Sequence, residues 1–190
     1  MRKARGKTRS EAELREVLLE TYAANDGMNQ LLMAHLDPRA WRARRATGKS
    51  GEGRTLAEIF SHLHNNRLVW LEKSAPYLRC PSRLDPARCT IKQACAAHRK
   101  SAAACLEMLK EALSEHTPKR VKRFSRGSWA PTWPAGTTMF SYMFAHEAHH
   151  RGQAILLARQ LGYRLTDEVA NGIWRWEELW RGCGFQTRPR

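Results

Sequence analysis

The chain has 190 residues, enough for one well-packed domain, and nothing in it suggests two. Lys and Arg number 33 against 18 Asp and Glu, and this formal net charge of +15 permits nucleic acid, anionic lipid or acidic small molecules as partners without choosing among them. The five cysteines (Cys80, Cys89, Cys95, Cys105, Cys183) are odd in number and form no C-x-x-C, which excludes a disulfide framework and a zinc ribbon, and no apolar run approaches the ~20 residues that span a bilayer.

Residues 1–9 read as a basic flexible tail, and residues 10–190 as a single domain. No apolar stretch follows the N-terminal charges, so a secretory signal is not expected; with the cysteine usage this points to a reducing cytoplasm. Ser10 is the expected N-cap of a long first helix, with Glu11 and Glu13 in its first turn. Leu14, Val17, Leu18, Tyr22, Leu31 and Leu32 mark its apolar face, Gly27 is a weak point within it, and Asp37-Pro38 ends it. Residues 42–53 are a basic, glycine-containing connection. Thr55 and Glu58 form a capping box at the start of a second helix, whose apolar face runs through Leu56, Ile59, Phe60, Leu63, Trp70 and Leu71.

Asp85, with Pro86 behind it, is the expected cap of a third helix rich in alanine that runs to Leu113. From His116 to Gly136 the helical pattern breaks, with three prolines and with Trp129 and Trp133; this reads as an ordered crossover, either a cover over a site or a structural loop pinned by the two tryptophans. A fourth helix follows from Met139 to its terminating Gly162, and a last short helix is expected around Ile173 to Trp180. No segment alternates with period two for long enough to make a sheet. The chain is therefore all-α, a four-helix bundle with an extra short C-terminal helix.

The fourth helix carries the chemistry. His146 and His150 lie four residues apart, about 40° from one another around the helix, and share a face with Met139, Met143, Leu157 and Leu161. Imidazole in a buried stripe needs partners, and a metal ion is one. A third ligand should come from a facing helix. The second helix offers His62 and His64, about 200° apart, and periodicity alone does not choose between them. His35, His98, His116 and His149 are weaker candidates. His146-Glu147-Ala148-His149-His150 also matches H-E-x-x-H, the zinc-protease pattern, with Glu168 at a possible spacing for a third ligand. Against that stand the short helical chain and a pattern with only three fixed positions.

Two stretches, His62-Leu63-His64-Asn65-Asn66-Arg67-Leu68-Val69-Trp70-Leu71 and His146-Glu147-Ala148-His149-His150-Arg151-Gly152-Gln153, resemble the DinB-like superfamily, which includes YfiT-like proteins and thiol-dependent S-transferases. That family carries a His about two turns before an aromatic-Leu pair, then H-x-x-x-H followed by Gly-Gln or a similar pair. The His eight positions before Trp70 is His62, so the resemblance selects His62 over His64. It implies a three-His metal site (His62, His146, His150) for zinc or nickel, in an up-down-down-up bundle that forms a homodimer. It also implies a low-molecular-weight thiol as cofactor and a small-molecule electrophile as substrate. Asn66 and Glu147 are candidates for supporting or proton-transfer roles, though Glu147 reads more simply as a partly exposed helix residue. The functions weighed beside a metal-dependent transferase are a basic nucleic-acid-binding bundle with a structural His cluster, and a metal-dependent hydrolase.

Overall fold

A computed structural model describes residues 5–45, 53–114 and 120–184. Four long helices make the bundle: α1 (Arg5–Ala34), α2 (Leu56–Ser74), α3 (Ile91–Ala112) and α4 (Thr137–Gln160). A single 3-10 turn, Pro38–Ala40, follows α1; two two-residue strands, β1 (Arg123–Phe124) and β2 (Trp133–Pro134), lie between α3 and α4. Two short helices, α5 (Asp167–Gly172) and α6 (Trp176–Gly182), close the described chain. α1 and α2 each pack on both α3 and α4, which sets them at opposite corners of the bundle, and α5 and α6 dock on α1.

Local sequence explains most element boundaries. Thr55 caps α2 in a full capping box: its hydroxyl accepts from the Glu58 amide at 3.1 Å, and Glu58 accepts from the Thr55 amide at 2.8 Å. Asp85 does not cap α3. Its carbonyl accepts from the Arg88 and Cys89 amides and its carboxylate from Ala87, closing one isolated turn. Thr90 then turns extended, and its own capping box with Gln93 starts the helix at Ile91, because that pair satisfies two amides that Asp85 cannot reach. Nor does Ser10 stand at a helix start. α1 begins at Arg5, with no proline between Arg5 and Ser10 to oppose helix.

Gly27 does not weaken α1 visibly; the helix runs through it. A Cβ there would lie 3.1 Å from Cδ2 of Leu179, so the missing side chain is what lets α6 approach α1. Gly172 plays the same part for α5, where a Cβ would meet Leu31 Cδ2 at 2.7 Å. The C-terminal helix expected around Ile173 to Trp180 is α6, and the unexpected α5 precedes it; the two are separated at Ile173–Arg175, where Arg175 leaves the helical region (φ −84°, ψ 71°).

The apolar core comes in two parts. One gathers Leu32, Met33, Trp41, Leu56, Phe60 and Leu63; the other gathers Tyr22, Leu68, Trp70, Met108, Phe124, Met139 and Met143. Between them lies a buried polar layer drawn from all four long helices: Asn25, Asp26 and Asn29 on α1, Arg67 on α2, His98 and Ser101 on α3, Glu147 and Arg151 on α4. β1 and β2 pair antiparallel, Phe124 opposite Trp133. The crossover is thus ordered where described. Trp133 pins it, whereas Trp129 is 70% exposed and donates only to the Arg126 carbonyl.

Candidate metal centre

α2 and α4 pack face to face. α4 presents His146 and, one turn later, His150; α2 presents His62 across from them. The three rings sit at centroid distances of 5.4 Å (His62–His146), 4.6 Å (His62–His150) and 4.6 Å (His146–His150). Each offers one nitrogen, and these three atoms all lie within 4.8 Å of one another. His150 is buried, and the other two are half-buried.

Two amide side chains set the rings. Asn66 stands one turn after His62 on α2, and its Nδ2 lies 3.0 Å from His62 Nε2 and 3.1 Å from His146 Nε2. An amide N–H donates, so both nitrogens present lone pairs to it. Gln153 accepts from His150 Nδ1 at 2.7 Å and donates to His149 Nε2 at 3.0 Å. With its Nδ1 proton held there, His150 keeps Nε2 as its free donor atom.

Burial, then the neighbouring imidazole of His150, then the Arg54 guanidinium push His62 down to about 4. Burial, followed by His150 and His62, pushes His146 down to about 4 as well. His150 is lowered too, mainly by burial. At neutral pH the cluster is therefore three uncharged imidazoles, the form that ligates.

On the His146 side an aromatic wall closes the cluster. Trp70 meets His146 edge-on at 5.4 Å and Tyr142 stacks beside it at 6.1 Å. Trp133, from the crossover, packs edge-on against Tyr142 at 5.5 Å, and Arg126 lies 3.5 Å over the Trp133 ring. The donor set fits a divalent ion: three neutral nitrogens from facing helices, two of whose lone pairs already converge on one electropositive group, the Asn66 amide. Nδ1 of His146, which carries the ring proton when Nε2 accepts from Asn66, is buried with no partner among the described residues.

The other histidines stand elsewhere. His64 is fully buried on the far side of α2, where it donates from Nε2 to the Ser82 carbonyl at 2.9 Å while its Nδ1 lies 3.0 Å from the Ser101 hydroxyl. Both ring nitrogens are taken, so it is a core histidine. His98 donates to the Phe60 carbonyl at 2.8 Å. His35 caps the Leu31 carbonyl and pairs with Glu168, the residue that H-E-x-x-H spacing would have offered as a ligand. His116 lies outside the described residues.

Glu147 is not the partly exposed residue expected. It is fully buried, and its carboxylate accepts from Arg67 at 2.8 and 2.5 Å, from Asn25 at 2.8 Å and from Tyr22 and Asn29 at 3.1 Å. Burial pushes its pKa up, but the Arg67 guanidinium, with its hydrogen bonds and those of Tyr22, more than offsets this and holds the carboxyl below its ordinary value. Arg67 also reaches Asp26 at 2.9 Å, and Arg151 donates to Asn25 and Asn29. At about 100° from His146 around α4, Glu147 faces the bundle interior and not the cluster.

The model of the DinB family matches residues 8–176. No curated protein and no solved structure matches the chain.

Proposed function

This chain belongs to the DinB family, and from that premise we propose that it binds one divalent ion, zinc or nickel, through His62, His146 and His150, and uses it for thiol-dependent S-transfer onto small electrophiles, a stress or detoxification chemistry. One observation carries the reading: three uncharged imidazoles from two facing helices bring their ligand atoms within 4.8 Å of one another. A divalent ion so held supplies Lewis acidity at open coordination positions, lowering the pKa of a thiol or a water toward neutrality.

The chain's own residues do the rest. Gln153 fixes the His150 tautomer and ring plane. Asn66, within hydrogen-bond distance of both His62 and His146, orients those rings and offers an amide beside whatever occupies the site. Trp70, Tyr142 and Trp133 keep water from the His146 side. The same proposal takes the protein to act in the cytoplasm as a homodimer, as the resemblance and the unpaired cysteines suggest. No helix among the described residues is long and apolar enough to cross a membrane.

The hydrolase reading is the weaker one, because the glutamate that would activate water spends its carboxylate on Arg67, Tyr22, Asn25 and Asn29. The transferase reading is tested by loading the protein with zinc or nickel and following consumption of a model electrophile such as 1-chloro-2,4-dinitrobenzene with several low-molecular-weight thiols. Thiol-dependent consumption that is lost in His62→Ala supports it; no consumption above the metal-free protein with any thiol sinks it. The nucleic-acid alternative predicts salt-dependent binding to DNA or RNA that survives removal of the metal.

A further inference from the structure

The cluster is walled by aromatics at His146, and on its other side the buried His150 lines a cavity. This cavity, of about 540 Å³, forms between the start of α2, the chain just before it, and the C-terminal half of α4. That volume is in the range of small-molecule sites. Ile59, Leu156 and Leu157 give it an apolar wall, Leu156 being 55% exposed with no described side chain covering it. Arg45 and Arg54 give it a cationic wall, and His150 lies among its lining residues, so a molecule seated there reaches the cluster.

The charged groups in the cavity's described lining are cationic. Several exposed arginines elsewhere face carboxylates: Arg44 with Glu58, Arg83 with Glu72, Arg39 with Asp37. No carboxylate of a described residue lines the cavity. Arg45 donates to Gln160, a neutral partner, at 3.1 Å, and Arg54 makes no hydrogen bond or ion pair with a described residue. Two guanidiniums with no carboxylate partner among the described residues, beside a cluster that takes a divalent cation, repel that cation and each other. An anion between them and the ion removes both repulsions at once. The arrangement is therefore complementary to a molecule with an oxyanion head and an apolar body, and poorly suited to a neutral or cationic one.

We propose that the cavity of Arg45, Arg54, Ile59, Leu156 and Leu157 is the binding site for the organic reactant, and that this reactant is an amphipathic small molecule whose carboxylate-like oxyanion is held by the two arginines. The inference rests on the metal reading of the cluster for its chemistry, and on the cavity alone for its geometry. Arg45 and Arg54 hold the anion, the leucines and Ile59 hold the apolar body, and the end of the molecule nearest His150 faces the cluster. Arg54 and Arg45 thus select substrate and leave the metal ligands untouched.

The test uses the full chain and two fluorescent probes of similar shape, 8-anilinonaphthalene-1-sulfonate and the uncharged N-phenyl-1-naphthylamine. Arg45→Gln with Arg54→Gln is expected to weaken the sulfonate probe at least tenfold and to leave the neutral probe within twofold. Arg79→Gln with Arg83→Gln, on the separate groove beside α3, is expected to change neither. Octanoate and octyl phosphate, competed against the sulfonate probe, separate a carboxylate from a phosphate head, and 1-octanol at the same concentration is expected not to compete. Unchanged sulfonate binding in the Arg45/Arg54 variant, or an equal loss in the Arg79/Arg83 variant, overturns the assignment. Elemental analysis of the same samples keeps the two readings apart: tenfold loss of the probe in a protein that takes up no metal upholds the cavity and removes the metal site. Both substituted arginines are exposed, and circular dichroism confirms that the variant is folded before binding is read.

Discussion

Two histidines two residues apart on α2 have opposite lives. His62 faces α4 and the other imidazoles; His64 faces α3 and is fully hydrogen-bonded in the core. Their substitutions should separate accordingly. His62→Ala is expected to abolish metal uptake at little cost to the metal-free fold. His64→Ala is expected to keep the metal and to cost about 1–3 kcal/mol of stability, since it leaves the Ser82 carbonyl without its donor. Isothermal titration with zinc, beside urea unfolding of the metal-free proteins, reads both quantities; metal binding lost in His64→Ala and kept in His62→Ala would reverse the assignment. Glu147 gives a second contrast. Glu147→Gln leaves the fully buried Arg67 with Asp26 as its only carboxylate and is expected to cost about 3–5 kcal/mol. It should do so in metal-free protein as much as in loaded protein, because Glu147 serves the bundle and not the ion. A stable Glu147→Gln protein with defective metal chemistry would mean that the glutamate acts at the site after all.

At the scale of elements, an ion held by His62, His146 and His150 would join α2 to α4. An ion at 100 times its dissociation constant adds about 2.7 kcal/mol, and a domain of this size gains roughly 2–4 °C per kcal/mol, so chelation should lower the melting temperature by several degrees in the wild type and not at all in His146→Ala. Differential scanning calorimetry with and without a chelator checks this, and an equal shift in both proteins would place the metal elsewhere. The C-terminal elements depend on a different contact. Gly27→Val would drive a branched side chain into Leu179, and it is expected to loosen α6 from α1, exposing Trp176 and Trp180 to solvent and protease while metal binding stays intact.

Elements with a local cause were legible in the sequence: the Thr55–Glu58 capping box, the glycine at the end of α4 and the shared face of His146 and His150. Gly27 was misread because a glycine seen along one helix shows only its propensity cost, and what approaches it is set by residues about 150 positions away. Asp85 was misread because two capping residues five apart compete, and only the Gln93 partner decides for Thr90.

Across the whole molecule, the polar layer between the two halves of the core is the feature the sequence hid most completely. Arg67 and Glu147 are 80 residues apart and each looks like a surface residue of an amphipathic helix; only the packing of α1, α2 and α4 brings them together with Tyr22, Asn25 and Asn29. The gathering of His62, His146 and His150 was legible only because a resemblance supplied the choice of His62 that periodicity could not make.

The same layer carries a pH dependence. His98 is fully buried, and burial, together with the nearby Arg67 charge and His64, lowers its pKa well below 6.5, outweighing the bond to the Phe60 carbonyl. The unfolded chain then binds a proton that the folded chain refuses, so this group's contribution is fully present above about 6.5 and is lost as pH falls below it. The urea midpoint of the metal-free protein should drop between pH 7 and pH 5; a flat or rising midpoint would contradict this account of His98.

The most direct test of the central claim is elemental analysis of the purified protein, wild type beside His62→Ala, His146→Ala and His64→Ala. The account predicts about one zinc or nickel ion per chain in the wild type and in His64→Ala, and none in the other two. No metal in the wild type even after incubation with zinc and nickel, or metal retained when His62 and His146 are replaced, would contradict it.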